Sequence, residues 1–170
     1  PSINWQAGKI MMIFQHSSSS IDWMVILKCT VVLTVAILYG RIYDGVNGGF
    51  GQAPKFPTPH NLLFLLTCYE RQGNELCLKM AEHTLLQMYR GGLFDHIGFG
   101  FCRYSTDEQF LVPHFEKMLY DNALLMLAYC KAYEITGKPL YLEVAEKTAA
   151  FILREMTHPD GGFYSAQDAD

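Results

Sequence analysis

The sequence predicts an all-α protein, built as part of an (α/α) toroid of helical hairpins. Three observations carry that expectation. From Thr58 onward, four segments space their apolar residues at helical intervals between glycine and proline stops. Two pairs of these segments repeat with a shift of 64 residues. Within the second pair, one segment is apolar almost all round and the next is amphipathic, which is the pattern of an inner helix backed by an outer one.

Composition sets the frame. The chain has 170 residues, 50% of them apolar and 18% charged, with a net charge of −4. That length can bury one core, and that balance belongs to a globular protein. No block of Lys or Arg stands out, so nucleic acid is not an expected partner. Five cysteines (Cys29, Cys68, Cys77, Cys102 and Cys130) are scattered without a CxxC pair. Neither a zinc ribbon nor a thioredoxin-type redox pair is expected, and the thiols read as reduced core residues. Phosphate-loop, zinc and nucleophile-elbow signatures are missing, so no metal or cofactor is expected. The compartment is left open, with the cytoplasm favoured.

Residues 1–42 differ from the rest. A serine run, Ser17 to Ser20, precedes an uncharged stretch from Cys29 to Gly40, with Asp22 and Lys28 upstream. Those 12 residues fall short of the roughly 20 that a membrane helix needs. Val31, Val32, Thr34, Val35 and Ile37 favour a strand by β-branching. A buried or adventitious segment is expected in preference to a membrane span. Asp44 to Pro59, rich in Gly and Pro, is the expected boundary. Pro1 in place of an initiator Met and an end inside an acidic motif at Asp170 read as cuts, so a piece of a longer protein is expected.

The first helix is expected from Pro59, at its first turn, to Gln72, with Gly73 ending it. Asn74 can cap the second, which runs to Arg90. Its Lys79, Glu82, His83, Gln87 and Arg90 share a polar face opposite Leu78, Ala81, Leu85 and Met88. The third is expected from about Pro113 to Thr136, and the fourth from Pro139 to near Met156, with Glu143 and Lys147 as an exposed i,i+4 pair. The shift of 64 sets Gly73 on Gly137, Leu76 on Leu140, Ala81-Glu82 on Ala145-Glu146 and Thr84 on Thr148. Each pair opens on Pro-His and closes on Gly-Gly-apolar, and Gly48-Gly49-Phe50 precedes the first. Stacked hairpins sharing one core follow. Two hairpins cannot close a ring.

Three motifs in order, GGFGQAPKFPTP, DHIGFGFCRYSTDEQFLVPHFEKMLYDNA and GGFYSAQDAD, resemble the spermatogenesis-associated protein 20 family, whose bacterial members are known as thioredoxin-domain or YyaL-like proteins. The resemblance covers about Ile42 to Asp170. It implies a thioredoxin-like domain followed by a six-hairpin (α/α) barrel like those of N-acylglucosamine 2-epimerases and six-hairpin glycosidases, and a link to carbohydrate metabolism. Residues 43–170 then read as the N-terminal part of the barrel and 1–42 as a non-matching segment. Cys102 stands where the family usually has His, and Phe110 where it has Trp. If that His is the base, this copy is impaired.

The densest polar segment, Asp95 to Asp121, surrounds the expected start of the third helix. On a helix, His114, Lys117 and Asp121 would share one stripe at its N-terminal end. His114 then reads as a general acid/base and Asp121 as the group that orients it. The bland alternative is an ordinary Lys117–Asp121 ion pair with His114 capping the helix. Glu116 and Tyr120 would point to the opposite side. Asp95 and His96 lie on a loop, where function concentrates, although Asp95 can equally cap a local turn. Arg103 and Tyr104 could bind a carboxylate or stack a sugar ring; Arg103 could instead pair with Asp107 or Glu108. Asp168 and Asp170 would face the same way on extended chain, and Phe163 offers a flat apolar face.

The catalytic candidates are therefore His114, Asp121, Asp95 and His96. The substrate-binding candidates are Arg103, Tyr104, Lys117, Asp168, Asp170 and Phe163. A small-molecule, sugar-like ligand is expected. An epimerase or isomerase would use the histidines as bases. A glycoside hydrolase would need two carboxylates, such as Asp95 with Asp168 or Asp170. The alternative is a non-catalytic binding barrel accompanying a redox domain. With at most two hairpins, the chain by itself is expected to be inactive.

Overall fold

The computed structural model describes Thr30, Thr34, Val35 and residues 37–169. The chain divides into two units, 1–37 and 38–170. In the first unit, Thr34 and Val35 are helical, and the Thr34 hydroxyl donates to the Thr30 carbonyl at 2.8 Å. Ile37 is helical too. The strand reading is thus corrected at Thr34, Val35 and Ile37, while Val31 and Val32 lie outside the described residues. β-branching biases the backbone by only a few tenths of a kcal/mol, and an i−4 hydroxyl bond suits a helical threonine.

The second unit opens with helical turns over 38–42. Two hairpins follow: α1 (Pro59–Gln72) with α2 (Glu75–Arg90), and α3 (Leu119–Thr136) with α4 (Pro139–Glu155). Gly73 and Gly137 end α1 and α3 in the left-handed conformation, at φ 66° and 67°. Asn74 caps α2 by accepting from the Leu76 N–H at 3.1 Å. Glu143 and Lys147 pair at 2.6 Å on α4, as their spacing predicts.

The inner helix α3 packs against both α1 and α4, and α1 packs against α2. This arrangement explains the sequence pattern. An inner helix flanked on both sides needs apolar residues all round, whereas an outer helix needs one stripe. Leu62, Leu65, Leu66, Met80, Leu85, Leu125, Tyr129, Tyr141, Val144 and Phe151 form the core. The buried Tyr129 hydroxyl donates to the Leu85 carbonyl at 2.7 Å, which removes the cost of burying it. Glu82 of α2 ties the two hairpins together, accepting from Lys138 at 2.5 Å and from the Tyr141 hydroxyl at 2.8 Å. Cys68, Cys77 and Cys102 are buried free thiols.

The loops repeat as closely as the helices. Tyr43 bridges Phe50, Phe94 bridges Phe101, and Thr157 bridges Phe163. In the first loop, the Asp44 carboxylate accepts from the Val46 and Asn47 N–H groups. Its other oxygen meets Lys55 Nζ at 2.6 Å, and Nζ also donates to the Gly48 carbonyl. In the second, Asp95 accepts from Ile97 and Gly98, meets Lys117 Nζ at 2.8 Å, and Nζ donates to the Phe99 carbonyl. Each ammonium also lies over a ring, Lys55 over Phe110 and Lys117 over Phe151. The Gly-Gly motifs are less uniform. Gly161 and Gly162 sit at φ 95° and 82°, where a side chain is strained. Gly91 has an ordinary φ of −81°. There the requirement is space, because a Cβ would stand 2.2 Å from the Phe110 carbonyl oxygen.

The third helix differs from expectation. It starts at Leu119, six residues after Pro113. Residues 113–118 are extended: β1 (Tyr104–Ser105) pairs with β2 (Pro113–His114), and β3 (Lys117–Met118) pairs with β4 (Ala166–Gln167), both antiparallel. Cross-strand hydrogen bonds outweigh the local preference that Pro113 signals. His114, Lys117 and Asp121 therefore do not share a helical stripe.

Candidate functional site

An extended chain sends alternate side chains to opposite faces, and residues 113–117 use that rule to separate the candidates. Pro113, Phe115 and Lys117 face a cavity of about 340 Å³, lined also by Asp95, His96, Ile97 and Cys102. His114 and Glu116 do not line it. They face a second group, formed with Arg103, Tyr104, Tyr120 and Asp121.

The cavity's polar groups are already engaged. Asp95 is held by Lys117 and two backbone N–H groups, which together keep its carboxyl below the usual range against the opposing effect of burial. His96 Nε2 bonds the Tyr89 carbonyl at 2.7 Å, with its ring edge-on to Tyr89 and Phe94. Burial pushes the Cys102 thiol up. The Asp95–Lys117 pair repeats the turn N–H bonds, the ion pair and the lysine-to-carbonyl bond of Asp44–Lys55, without the side-chain bond that Asn47 adds there, so it matches the loop framework. The turn-capping reading of Asp95 is the one its bonds match.

The second group is different. The His114 ring stacks on Tyr104 at 4.7 Å and 23°, and Tyr104 meets Phe56 at 5.0 Å, giving a row of three part-exposed rings. His114 Nδ1 is buried and has no hydrogen-bond partner, and the same holds for Arg103 Nε. Glu116 Oε2 accepts from Arg103 Nη1 at 2.6 Å and lies 3.9 Å from His114 Nδ1. Arg103 thus pairs with Glu116, not with Asp107 or Glu108. Asp107 instead closes its own loop by accepting from Gln109, Leu111 and Val112.

Asp121 sits in the first turn of α3, only 6% exposed. Burial pushes its carboxyl up to about 6, against the lowering effects of the Tyr120 hydroxyl and the Arg103 guanidinium. The structure thus brings His114, Arg103, Tyr104 and Asp121 together and puts Asp95, His96 and Lys117 elsewhere. Asp168 is exposed, accepting from the Ala169 N–H, and Phe163 is 59% exposed. Asp170 lies outside the described residues.

Glu116 and Tyr120 were missed because a helix would turn them away from His114. The signal was the His114-x-Glu116 spacing, which puts both on one face only if the chain is extended. Among the described residues, no group of His, Cys, Asp and Glu could hold a metal ion, and no helix is long and apolar enough to cross a membrane.

No protein-family model matches the chain. Two curated relatives are the spermatogenesis-associated protein 20 of Rattus norvegicus, 48% identical over 132 residues, and that of Homo sapiens, 49% identical over 132 residues. Each match covers 75% of this chain, which spans only 17% of either relative. An uncharacterised protein of Caenorhabditis elegans is 40% identical over 134 residues, 75% of this chain and 18% of that protein. Among solved structures, a cellobiose 2-epimerase from Spirochaeta thermophila matches with a TM-score of 0.75 at 18% identity, over 89% of this chain and 42% of that one. A sugar epimerase from a ruminal bacterium gives 0.69 at 21%, over 78% and 36%. A family 76 mannosidase from Bacteroides thetaiotaomicron gives 0.57 at 18%, over 66% and 30%. At these identities the likeness is one of fold: helical hairpins of the six-hairpin (α/α) toroid type.

Proposed function

Over its matched residues the chain belongs to the spermatogenesis-associated protein 20 family, and from that premise we propose that the Arg103–His114 group is part of a sugar site with epimerase- or isomerase-like chemistry. One observation carries the reading. His114, Arg103, Glu116, Tyr120 and Asp121 gather beside stacked rings in the second hairpin unit; in the first, His60, which the Pro-His repeat sets on His114, instead lies exposed in the first turn of α1. Counted out from Phe50/Phe101, Lys55/Lys117 and Asn61/Asn122, the matching places hold Gln52, Pro54, Pro59 and His60 where the second unit has Arg103, Glu116, Tyr120 and Asp121. The framework is duplicated; Arg103, Glu116 and Tyr120 are added to it.

Phe56, Tyr104 and His114 offer apolar faces to sugar C–H groups. Epimerisation needs a base to remove the proton beside a carbonyl, a cation to hold the enediolate oxygen, and a proton returned to the same carbon. His114 is the base, Arg103 is the cation, and Asp121, titrating at about 6, is the second proton carrier. A carboxylate-pair hydrolase has less support, since Asp95 is consumed by Lys117 and its own loop. The remaining hairpins of a full toroid would complete the site, so the chain alone is inactive in this reading.

The non-catalytic reading, a binding barrel beside a thioredoxin-like domain, draws on one feature: Glu116 already neutralises Arg103. The test uses the full-length rat relative carrying the equivalent of His114→Ala, with neutral aldoses and disaccharides in D2O. Proton exchange beside the carbonyl should fall by about 100-fold or more, with the melting temperature kept. Unchanged exchange with an intact sugar-induced thermal shift would favour the binding barrel, and an unfolded variant would mark His114 as structural.

A further inference from the structure

The cluster contains a carboxylate placed to act on the base itself. We propose that Glu116 is a positioning residue. It anchors Arg103 and draws the proton of His114 to Nδ1, leaving Nε2 as the nitrogen that accepts a proton. The inference deepens the reading of His114 as a base and rests on it for its catalytic meaning, but its structural content stands apart.

Four observations converge on it. Glu116 Oε2 lies 3.9 Å from His114 Nδ1 and is the acceptor that faces it. Nδ1 is buried with no hydrogen-bond partner, so a proton on it is costly unless the bond to Glu116 closes. The imidazole stacks on Tyr104 at 4.7 Å, a contact that a shift in the plane of the ring would keep. Glu116 is itself fixed twice, by Arg103 Nη1 at 2.6 Å and by the Arg103 N–H donating to the Glu116 carbonyl at 2.7 Å. A separation of 3.9 Å is not a hydrogen bond. Closing it takes a movement of about 1 Å, within the reach of a side-chain adjustment in the free protein.

Once closed, the bond donates from Nδ1–H to the carboxylate. The second nitrogen of the ring is set by what the first one bonds. Nε2 then carries the lone pair, and the positive charge gained on taking a proton is met by Glu116. Arg103 is held in the same stroke, so one carboxylate would align both the base and the oxygen-stabilising cation.

The primary test is side-chain 15N NMR on the 170-residue chain at about pH 8.5, with His114 assigned by loss of its signal in His114→Gln. The expected result is the Nδ1–H tautomer in the wild type, moving toward Nε2–H in Glu116→Ala. An Nε2–H tautomer in the wild type overturns the proposal without any variant having to fold, as does a pattern that Glu116→Ala leaves unmoved. In the full-length rat relative, the equivalent of Glu116→Gln should lower kcat about 10- to 100-fold with little change in KM. If the tautomer is as stated but the His114→Ala equivalent leaves proton exchange intact, the sugar-base reading fails and the Glu116–His114 pairing survives.

Discussion

Two loops of this molecule carry the same machinery and differ in what surrounds it. In the first, Asp44 caps the turn with one oxygen and holds Lys55 with the other. In the second, Asp95 does the same with Lys117. Read alone, Asp95 and Lys117 look like a charged pair in a cavity, as an active site would have. Read beside Asp44 and Lys55, they are a loop clamp that the fold uses twice. An internal repeat thus serves as a control: whatever recurs at matched positions is scaffold, and whatever appears in one copy needs a separate explanation. Arg103, Glu116 and Tyr120 are what remains, gathered with His114 and Asp121.

The clamps should differ in strength, and that gives the largest expected effect. Lys55 is 1% exposed and Asp44 18% at its side chain, whereas Asp95 is 34% exposed at its side chain. Lys55→Met should cost about 3–5 kcal/mol, since it strands a carboxylate beside buried carbonyls. Lys117→Met should cost about 2, because solvent screens Asp95. Urea unfolding of both variants checks this, and equal losses would break the ranking.

The glycine pairs separate next. Gly91→Ala drives a Cβ into a backbone carbonyl and should cost about 3 kcal/mol. Gly162→Ala, which meets open space at φ 82°, should cost about 1. Thermal melts of the two variants would show whether space or backbone angle is the harder constraint.

The carboxylates divide by the sign of their pH dependence. Asp44 and Asp95 are held below their usual range. The stability they contribute is present above about pH 4 and lost as pH falls through their folded values. Asp121, raised to about 6, behaves oppositely. Its contribution is fully present below about pH 4 and lost as pH rises through 6. Asp121→Asn should therefore stabilise the chain by about 1–2 kcal/mol near pH 7.5, with the gain fading toward pH 4. A destabilised variant at pH 7.5 would mark Asp121 as a structural anchor and remove it from the site. The smallest effect separates the outer helices. Asn74→Ala should cost α2 about 1 kcal/mol, while Lys138→Ala in α4, whose N-cap makes no side-chain bond, should leave the start of that helix unchanged.

The helix ends were legible because each depends on a few neighbouring residues: Pro59, Gly73, Asn74, Gly137 and Pro139 act locally, through fixed φ, left-handed turns and capping. The inner and outer roles of α3 and α4 were legible too, since apolar periodicity reports how many sides of a helix are covered. The family motifs marked residues 95–121 as the place to look. Their geometry was not available from local signals. Pro113 reads as a helix start, yet residues 113–118 spend their hydrogen bonds on strands about 10 and 50 residues away in sequence. Pairing between distant segments leaves no periodic trace in so short a stretch. It nonetheless decided which side chains met: it sent Lys117 to Asp95, turned Glu116 toward His114 and Arg103, and left Asp121 buried at the head of α3. The sequence alone specified a stack of hairpins and a polar segment within it. Tertiary pairing sorted that segment into a clamp and a candidate site, because the face a residue occupies changes completely between helix and strand.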